Sequence, residues 1–391
     1  MGNLSNFVKR VRDIMRNDAG INGDAQRIEQ IAWMLFLKVY DSKEDEWNTT
    51  FDSKESYQSI IPESCRWRNW AHAKNGKGMT GDTLLEFVNN TLFPTLKKLP
   101  VDASTPIKKA IVQTTFADAN NYMKDGVLLR QIINEIDDIK FDEYEESRVF
   151  AGIYETILRE LQSAGSAGEF YTPRAVTDFM AQMIDPQIGE KMADFACGTG
   201  GFLTSWLKVL RQKIQTTTDE NLCNNSIYGV EKKQFPYILC ITNMLLHDVD
   251  VPQVFHDNTL LRDVLDYTED DQVDVILMNP PYGGSEKPEI KNHFPADLAS
   301  SETADLFMSV MHIIEISFWR DKICCYLHYG KEAHPLPVFW NLKRQLIIDT
   351  AFNSIDLLII RIIPSENNGF MLVPFNFSGF NELLFFCTDV L

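Results

Sequence analysis

Four short apolar segments alternating with helical patterns restrict this 391-residue chain more than any other feature. Met192-Ala193-Asp194-Phe195-Ala196 runs into a glycine-rich turn, and Ser226–Val230 ends at Glu231. Val251–Phe255 ends near Asp257, and Val273–Met278 ends at Asn279. From about residue 185 onward this strand–helix rhythm predicts an α/β, doubly wound, mostly parallel sheet. Ligands of such sheets sit outside the carboxyl ends of the strands, where Glu231, Asp257 and Asn279 lie. The first 160 residues have a different character. Asp24 can cap a helix whose apolar positions Ile28, Ile31, Ala32, Leu35, Phe36 and Val39 keep the 3.6-residue period. Two further stripes follow, one through Leu128, Leu129, Ile132, Ile133 and Ile136, the other through Phe150, Ile153, Tyr154, Ile157, Leu158 and Leu161. Between the first helix and these stripes, a glycine- and lysine-rich stretch, Lys74 to Gly81, reads as a loop.

Composition removes several classes. With 45% hydrophobic and 24% charged residues the chain is globular rather than disordered. No uncharged apolar run reaches the roughly 18 residues that a spanning helix needs, so no membrane segment is expected. Lys9, Arg10 and Arg12 are not followed by an apolar core, so the start is not a secretory signal, and Ser5 stands one place too early for myristoylation. The seven cysteines form no CxxC pair and the histidines no HExxH, which fits a reducing cytoplasm and predicts no structural metal. The formal charge of −18 has the wrong sign for an autonomous nucleic-acid binder.

Three local patterns carry chemistry. In Asp194-Phe195-Ala196-Cys197-Gly198-Thr199-Gly200-Gly201-Phe202 the glycines admit a ligand close to the backbone. The dinucleotide fingerprint would need glycine where Leu203 stands, which disfavours nicotinamide and flavin cofactors. Glu231 is placed to take two ribose hydroxyls and Asp257 to accept from an adenine amine; the bland alternative is that both cap helices or face solvent. In Asn279-Pro280-Pro281-Tyr282 two prolines turn the chain stiffly out of the sheet. The Asn279 side-chain oxygen and the Pro280 carbonyl are then candidate acceptors for a planar amine, with Tyr282 to stack on the ring; alternatively the tetrapeptide is only a rigid strand-ending turn. In Gly168-Glu169-Phe170-Tyr171-Thr172-Pro173-Arg174, Thr172 and Pro173 form an N-cap and first-turn pair for a helix bearing Val176, Phe179, Met180 and Met183.

In this order the three patterns closely resemble the modification subunit of type I restriction–modification systems, an adenine-specific DNA methyltransferase. The resemblance covers residues 1 to about 311, including Thr303–Met308. It implies a helical N-terminal domain (1–160) and a methyltransferase domain of Rossmann-like fold (161–311). It further implies S-adenosylmethionine contacts from Glu169, Phe170, Tyr171, Thr172, Pro173, Arg174, Thr199, Gly200 and Gly201. Glu231 would hold the ribose, Asp194 face the methionine part and Asp257 the adenine. Asn279, Pro280, Pro281 and Tyr282 would hold a target adenine flipped from the duplex, because its amine is unreachable in the stack. Cys197 lacks the Pro-Cys context of cytosine-ring methylation and is expected to be a small packing residue. DNA, a specificity subunit and a restriction (nuclease) subunit are the implied partners, in the cytoplasm.

After Met311 the likeness fades. Residues 312–391 hold nine of the 25 phenylalanines, and the apolar run Ile355–Ile363 is broken only by Asp356 and Arg361. We expect this atypical tail, read as frameshifted or truncated, to leave the sheet without well-formed final strands. That motivates an alternative function, a non-catalytic cofactor-binding or assembly remnant. A third reading keeps the chemistry and changes the acceptor to a glutamine amide or an RNA base; the long helical N-terminal part favours the DNA assembly. The tail carries six Lys+Arg and eight Asp+Glu, so −16 of the −18 belongs to the recognisable part. A methyltransferase this acidic is expected to rely on its specificity subunit for most of the grip on DNA.

Overall fold

The computed structural model describes residues 2–50, 59–72, 78–102, 106–139, 172–281, 284–316, 323–328, 356–361 and 371–376. These fall into two compact units. One takes in the described residues up to 139 together with Gly198–Gly200 and Lys233–Pro252; the other takes in Thr172–Cys197, Gly201–Lys232 and the described residues from Gln253 onward.

The first unit is helical: α1 (Gly2–Met15), α2 (Asp24–Thr50), α3 (Trp67–Trp70), α4 (Gly81–Phe87), α5 (Phe93–Lys97), α6 (Ile107–Ala117) and α7 (Gly126–Asp137). A five-residue π segment, Val88–Leu92, joins α4 to α5. All six expected apolar positions of α2 are buried, but so are Trp33, Met34 and Leu37. A stripe is therefore too narrow a description: α2 packs against α7 and against Gln234–Leu246, a helix from far along the chain that belongs to this unit. In α7 the face is Leu129, Ile132, Ile133 and Ile136, while Leu128 is only half-buried and Arg130 is buried. Arg130 is tolerated there because its guanidinium donates to the carbonyls of Met79 (2.6 Å), Ala71 (2.6 Å) and Trp70 (3.3 Å). The stripe Phe150–Leu161 lies outside the described residues, as do the side chain of Asp24 and the 74–77 part of the glycine- and lysine-rich stretch.

The second unit holds a seven-stranded sheet in the order β3-β2-β1-β4-β5-β6-β7. Its strands are β1 (Met192–Asp194), β2 (Ile227–Glu231), β3 (Val254–His256), β4 (Val275–Met278), β5 (Ile323–His328), β6 (Asp356–Arg361) and β7 (Met371–Asn376). β1 to β5 run parallel, as the alternation predicts, and β6 and β7 are antiparallel additions. The first four strands differ from their sequence limits by no more than three residues at either end, chiefly because ladder pairing covers less than the whole apolar run. Ala193, Phe195, Ile276 and Met278 share one face and join Leu306, Phe307, Val310, Met311 and Ile314 of α13 (Thr303–Ile316) in a single core. α8 (Arg174–Ile184) and α9 (Gly201–Arg211) pack on each other, and α9 also lies against β1 and β2. The remaining helices are α10 (Thr217–Asn224), α11 (Gln234–Leu246, counted with the first unit) and α12 (Pro288–Lys291).

The expected absence of final strands is corrected. β5 pairs with β4 from Val275↔Ile323 to Met278↔Tyr326, and β6 occupies the very run 355–363, with Asp356 and Arg361 as its ends. Ladder bonds are made by the backbone, so alternating apolar segments pair whatever motif they lack. Pro374 falls in β7, the outermost strand, where a missing N–H is tolerated.

Candidate functional site

The strand order reverses at β1: successive strands lie on one side through β3 and on the other from β4. The crevice at that switch point is where an open α/β sheet receives its ligand. Asp194 ends β1, Glu231 ends β2, Asp257 follows β3 and Asn279 follows β4, so all four stand at the same carboxyl edge. Register confirms the alignment: Asp194 is level with Gly229, and Glu231 with His256.

Asp194 is only 1% exposed and accepts from the Ala196 amide at 3.1 Å. Burial, and then the charge of Glu231, push its carboxyl well above the usual carboxylate range. Glu231 is also buried, and its carbonyl accepts from the Asp257 amide at 3.1 Å. Asp257 itself is exposed, with Oδ1 on the Asn258 amide at 2.7 Å. Cys197 is buried, its Sγ 3.2 Å from where a Cβ on Gly229 would stand, as expected of a packing residue.

Asn279 donates from Nδ2 to the Thr172 hydroxyl at 3.1 Å. Its Oδ1 is buried and has no hydrogen-bond partner among the described residues. Pro280 is buried and Pro281 exposed; Tyr282 lies outside the described residues, as do Glu169, Phe170 and Tyr171.

Thr172 does not cap a helix. α8 begins at Arg174 with Pro173 as its N-cap (φ −56°, ψ 138°) and no side-chain cap bond, because the extended proline delays helix entry by one residue and the threonine hydroxyl is engaged by Asn279. The buried face of α8 is accordingly Thr177, Met180, Ala181 and Ile184, one step round from the predicted stripe, with Met183 exposed. Polar packing explains the shift: Ser205 of α9 donates to Thr177 or Asp178, at 2.8 and 2.7 Å. Arg174 donates to the Gly201 carbonyl at 2.9 Å and to the Thr204 hydroxyl, so it clamps the first turn of α9.

The glycine turn between β1 and α9 needs left-handed backbone at Gly198 (φ 53°) and Gly200 (φ 77°). Within the helical unit the turn rests on α11. Asn243, 2% exposed, donates to the Thr199 carbonyl at 3.1 Å, and a Cβ on Gly200 would stand 2.8 Å from Cys240 Sγ and 3.1 Å from Met244 Cε. Sequence reasoning missed Asn243; the available signal was a single amide inside the apolar run Tyr237–Leu246. Gly200→Ala should therefore lower stability by about 2–4 kcal/mol, from left-handed strain plus overpacking, in a urea titration followed by fluorescence. A wild-type unfolding midpoint in that variant would mean the turn is not seated on α11.

Residues 145–323 match the family described as N-6 DNA methylase, and residues 4–136 match the HsdM N-terminal domain. The methylase subunit of type I restriction enzyme EcoEI from Escherichia coli is 50% identical over 315 residues, 80% of this chain and 62% of that protein. The chain thus spans less than two thirds of that relative's length. A crystal structure of a modification subunit assigned to a type I restriction enzyme of Vibrio vulnificus YJ016 is 37% identical, with TM-score 0.71, over 83% of this chain and 70% of that one. A structure from work on assembly and conformational transition of a type I restriction–modification system is 34% identical, also with TM-score 0.71, over 83% and 64%. The order of motifs, the switch-point geometry and these likenesses agree, and the chain belongs to the modification (methylase) subunits of type I restriction–modification systems.

Proposed function

We propose that this chain methylates the exocyclic amine of adenine in DNA with S-adenosylmethionine, as the modification subunit of a type I restriction–modification complex. The observation that carries the reading is Asn279: an amide anchored by its nitrogen, at the switch-point edge, with a buried oxygen that no described residue occupies. A buried acceptor left without a donor is costly, and an incoming amine supplies that donor.

The residues present fit S-adenosylmethionine. Two left-handed glycines let a ligand lie on the backbone, and the buried Asp194 suits a cationic methionine end. We assign Thr199, Gly200 and Gly201 to the backbone contact, Glu231 to the ribose hydroxyls and Asp257 to the adenine amine, with Glu169, Phe170, Tyr171, Thr172, Pro173 and Arg174 as further cofactor contacts. Bound there, the cofactor supplies an electrophilic methyl group for in-line transfer from sulfonium sulfur to nitrogen. Asn279 Oδ1 and the Pro280 carbonyl accept the two hydrogens of the target amine and hold its lone pair toward the methyl. Tyr282 stacks on the flipped base, and the proton released by the product nitrogen passes to water. No side chain forms a covalent bond; positioning and electrostatics carry the rate.

The domain division 1–160, 161–311 and 312–391 is proposed with this reading. So are its partners: DNA, a specificity subunit that supplies most of the phosphate contacts a −18 chain lacks, and a nuclease subunit. Cytoplasmic residence is proposed on the same ground; among the described residues no helix is long and apolar enough to cross a membrane. The test is transfer of tritiated methyl to duplex DNA, with and without co-expressed neighbouring subunits, followed by nucleoside analysis. Label in N6-methyladenine is expected with the subunits present and weak without them. An assembly that binds S-adenosylmethionine by calorimetry yet labels no adenine overturns the reading.

A further inference from the structure

We infer that Lys232 and Glu286 form a latch beside the nucleoside half of the cofactor site and pace the exchange of S-adenosylmethionine for its demethylated product, an inference that rests on the methyltransferase reading above. Lys232 directly follows Glu231, assigned to the ribose, and its carbonyl stands 3.1 Å from Nε2 of His256, the residue before Asp257, assigned to the adenine. From there its ammonium reaches Glu286, with Nζ 3.2 Å from Oε1 and 3.4 Å from Oε2. Glu286 lies on the segment that follows β4 and the Asn279–Tyr282 tetrapeptide. In the sheet β1 stands between β2 and β4, so a chain leaving β4 meets a side chain leaving β2 only by passing the carboxyl end of β1. The ion pair therefore lies across the switch-point edge, from the ribose strand to the segment beyond the target tetrapeptide.

The two partners differ in freedom. Glu286 donates its amide to the Ser301 carbonyl at 3.3 Å, the Thr303 amide donates to the Gly284 carbonyl at 3.0 Å, and Ser285 bridges antiparallel to Glu302. This short ladder leads straight into α13, whose Leu306, Phe307 and Val310 are in the core. The Glu286 side chain is 11% exposed and that of Lys232 55%. The carboxylate is thus a fixed post and the lysine a movable arm, which opens the edge by swinging into water without any backbone shift. An ion pair with one partner in solvent is weak, as suits a catch that has to release at every turnover. Because the latch stands beside the site whether it is empty or filled, it slows entry and exit alike and leaves the equilibrium affinity unchanged. Neither residue takes part in the transfer itself.

The test compares Lys232→Met, which keeps the stem and removes the charge, Glu286→Gln, which keeps the shape, and the reversed pair Lys232→Glu with Glu286→Lys. Association and dissociation rates of tritiated S-adenosylmethionine and of S-adenosylhomocysteine are measured on the full chain by rapid filtration, and Kd by calorimetry. Each single substitution is expected to raise both rates together by about two- to fivefold, with Kd changed by less than about twofold, and the reversed pair to return both rates toward wild type. Dissociation from the wild type should quicken as salt rises from about 0.05 to 0.5 M and screens the pair, and dissociation from the single variants should not. Single variants that exchange cofactor at wild-type rates overturn the latch. So does a dissociation rate that rises alone while Kd weakens in step, which would make Lys232 a direct cofactor contact, or a reversed pair as fast as the single variants, which would mean that the charges do not hold the edge. If the wild-type chain binds no S-adenosylmethionine, the functional reading fails first and the latch with it; a wild type that binds confines any failure to the pair.

Discussion

Asn279→Ala is expected to reduce methyl transfer by about a hundred- to a thousandfold while leaving S-adenosylmethionine affinity essentially unchanged. The asymmetry comes from position. Asn279 stands at the end of β4, its oxygen open and its nitrogen on Thr172, whereas Asp194 ends β1 and the glycine turn leads from β1 into α9. Truncation would remove the acceptor proposed to line up the amine and leave the glycine turn intact. Single-turnover rates at saturating cofactor, paired with calorimetry, separate the two effects. Tyr282→Ala should act in the same direction by about ten- to a hundredfold, the usual worth of one base stacked on an aromatic ring. Full transfer by the Asn279 variant would remove the proposed target pocket.

Asp194→Asn should move stability and cofactor binding in opposite directions. The carboxyl is buried, with the charge of Glu231 nearby, and both raise its pKa. An acid whose pKa is higher in the folded than in the unfolded chain weakens the fold as pH climbs from the unfolded value, about 3.9, through the folded one. The amide keeps the acceptor for the Ala196 amide and carries no charge. The variant should therefore melt above wild type at neutral and alkaline pH, with the difference vanishing toward about pH 4, near the unfolded value. Cofactor affinity should fall by about ten- to a hundredfold, the worth of a lost hydrogen bond to a charged group. If Asp194 holds the cofactor's cationic end as proposed, the same linkage should make wild-type cofactor binding tighten as pH rises and Asp194 ionises. A variant that melts below wild type at about pH 8 would mean the buried charge is fully compensated in the free protein.

Much of this was legible locally. Short apolar runs ending at Glu231 and Asn279 placed β2 and β4 to within two residues, and their alternation with helices specified a mostly parallel sheet. The glycines at 198 and 200 announced a turn that only they can make. Reasoning from neighbours failed where a side chain had two possible partners. Thr172 before Pro173 has the local signature of a cap, yet its hydroxyl meets an amide 107 residues away. Arg130 interrupts the apolar stripe of α7, and only the fold brings the carbonyls of Trp70, Ala71 and Met79 to its guanidinium. Asp356 and Arg361 look like interruptions of an apolar run and are the two ends of β6.

The amino-acid order by itself specified the first four strands, their parallel pairing and the sheet edge at which the candidate site lies, because backbone sterics and hydrophobic pattern act over a few residues. Only the tertiary structure decided that Asn279 offers its oxygen and hides its nitrogen, that Asn243 and Cys240 seat the glycine turn on α11, and that the unusual tail extends the sheet. These depend on which polar group comes within about 3 Å of which other once distant segments pack, and a hydrogen bond's short range and strict direction leave no trace of that choice in either segment alone.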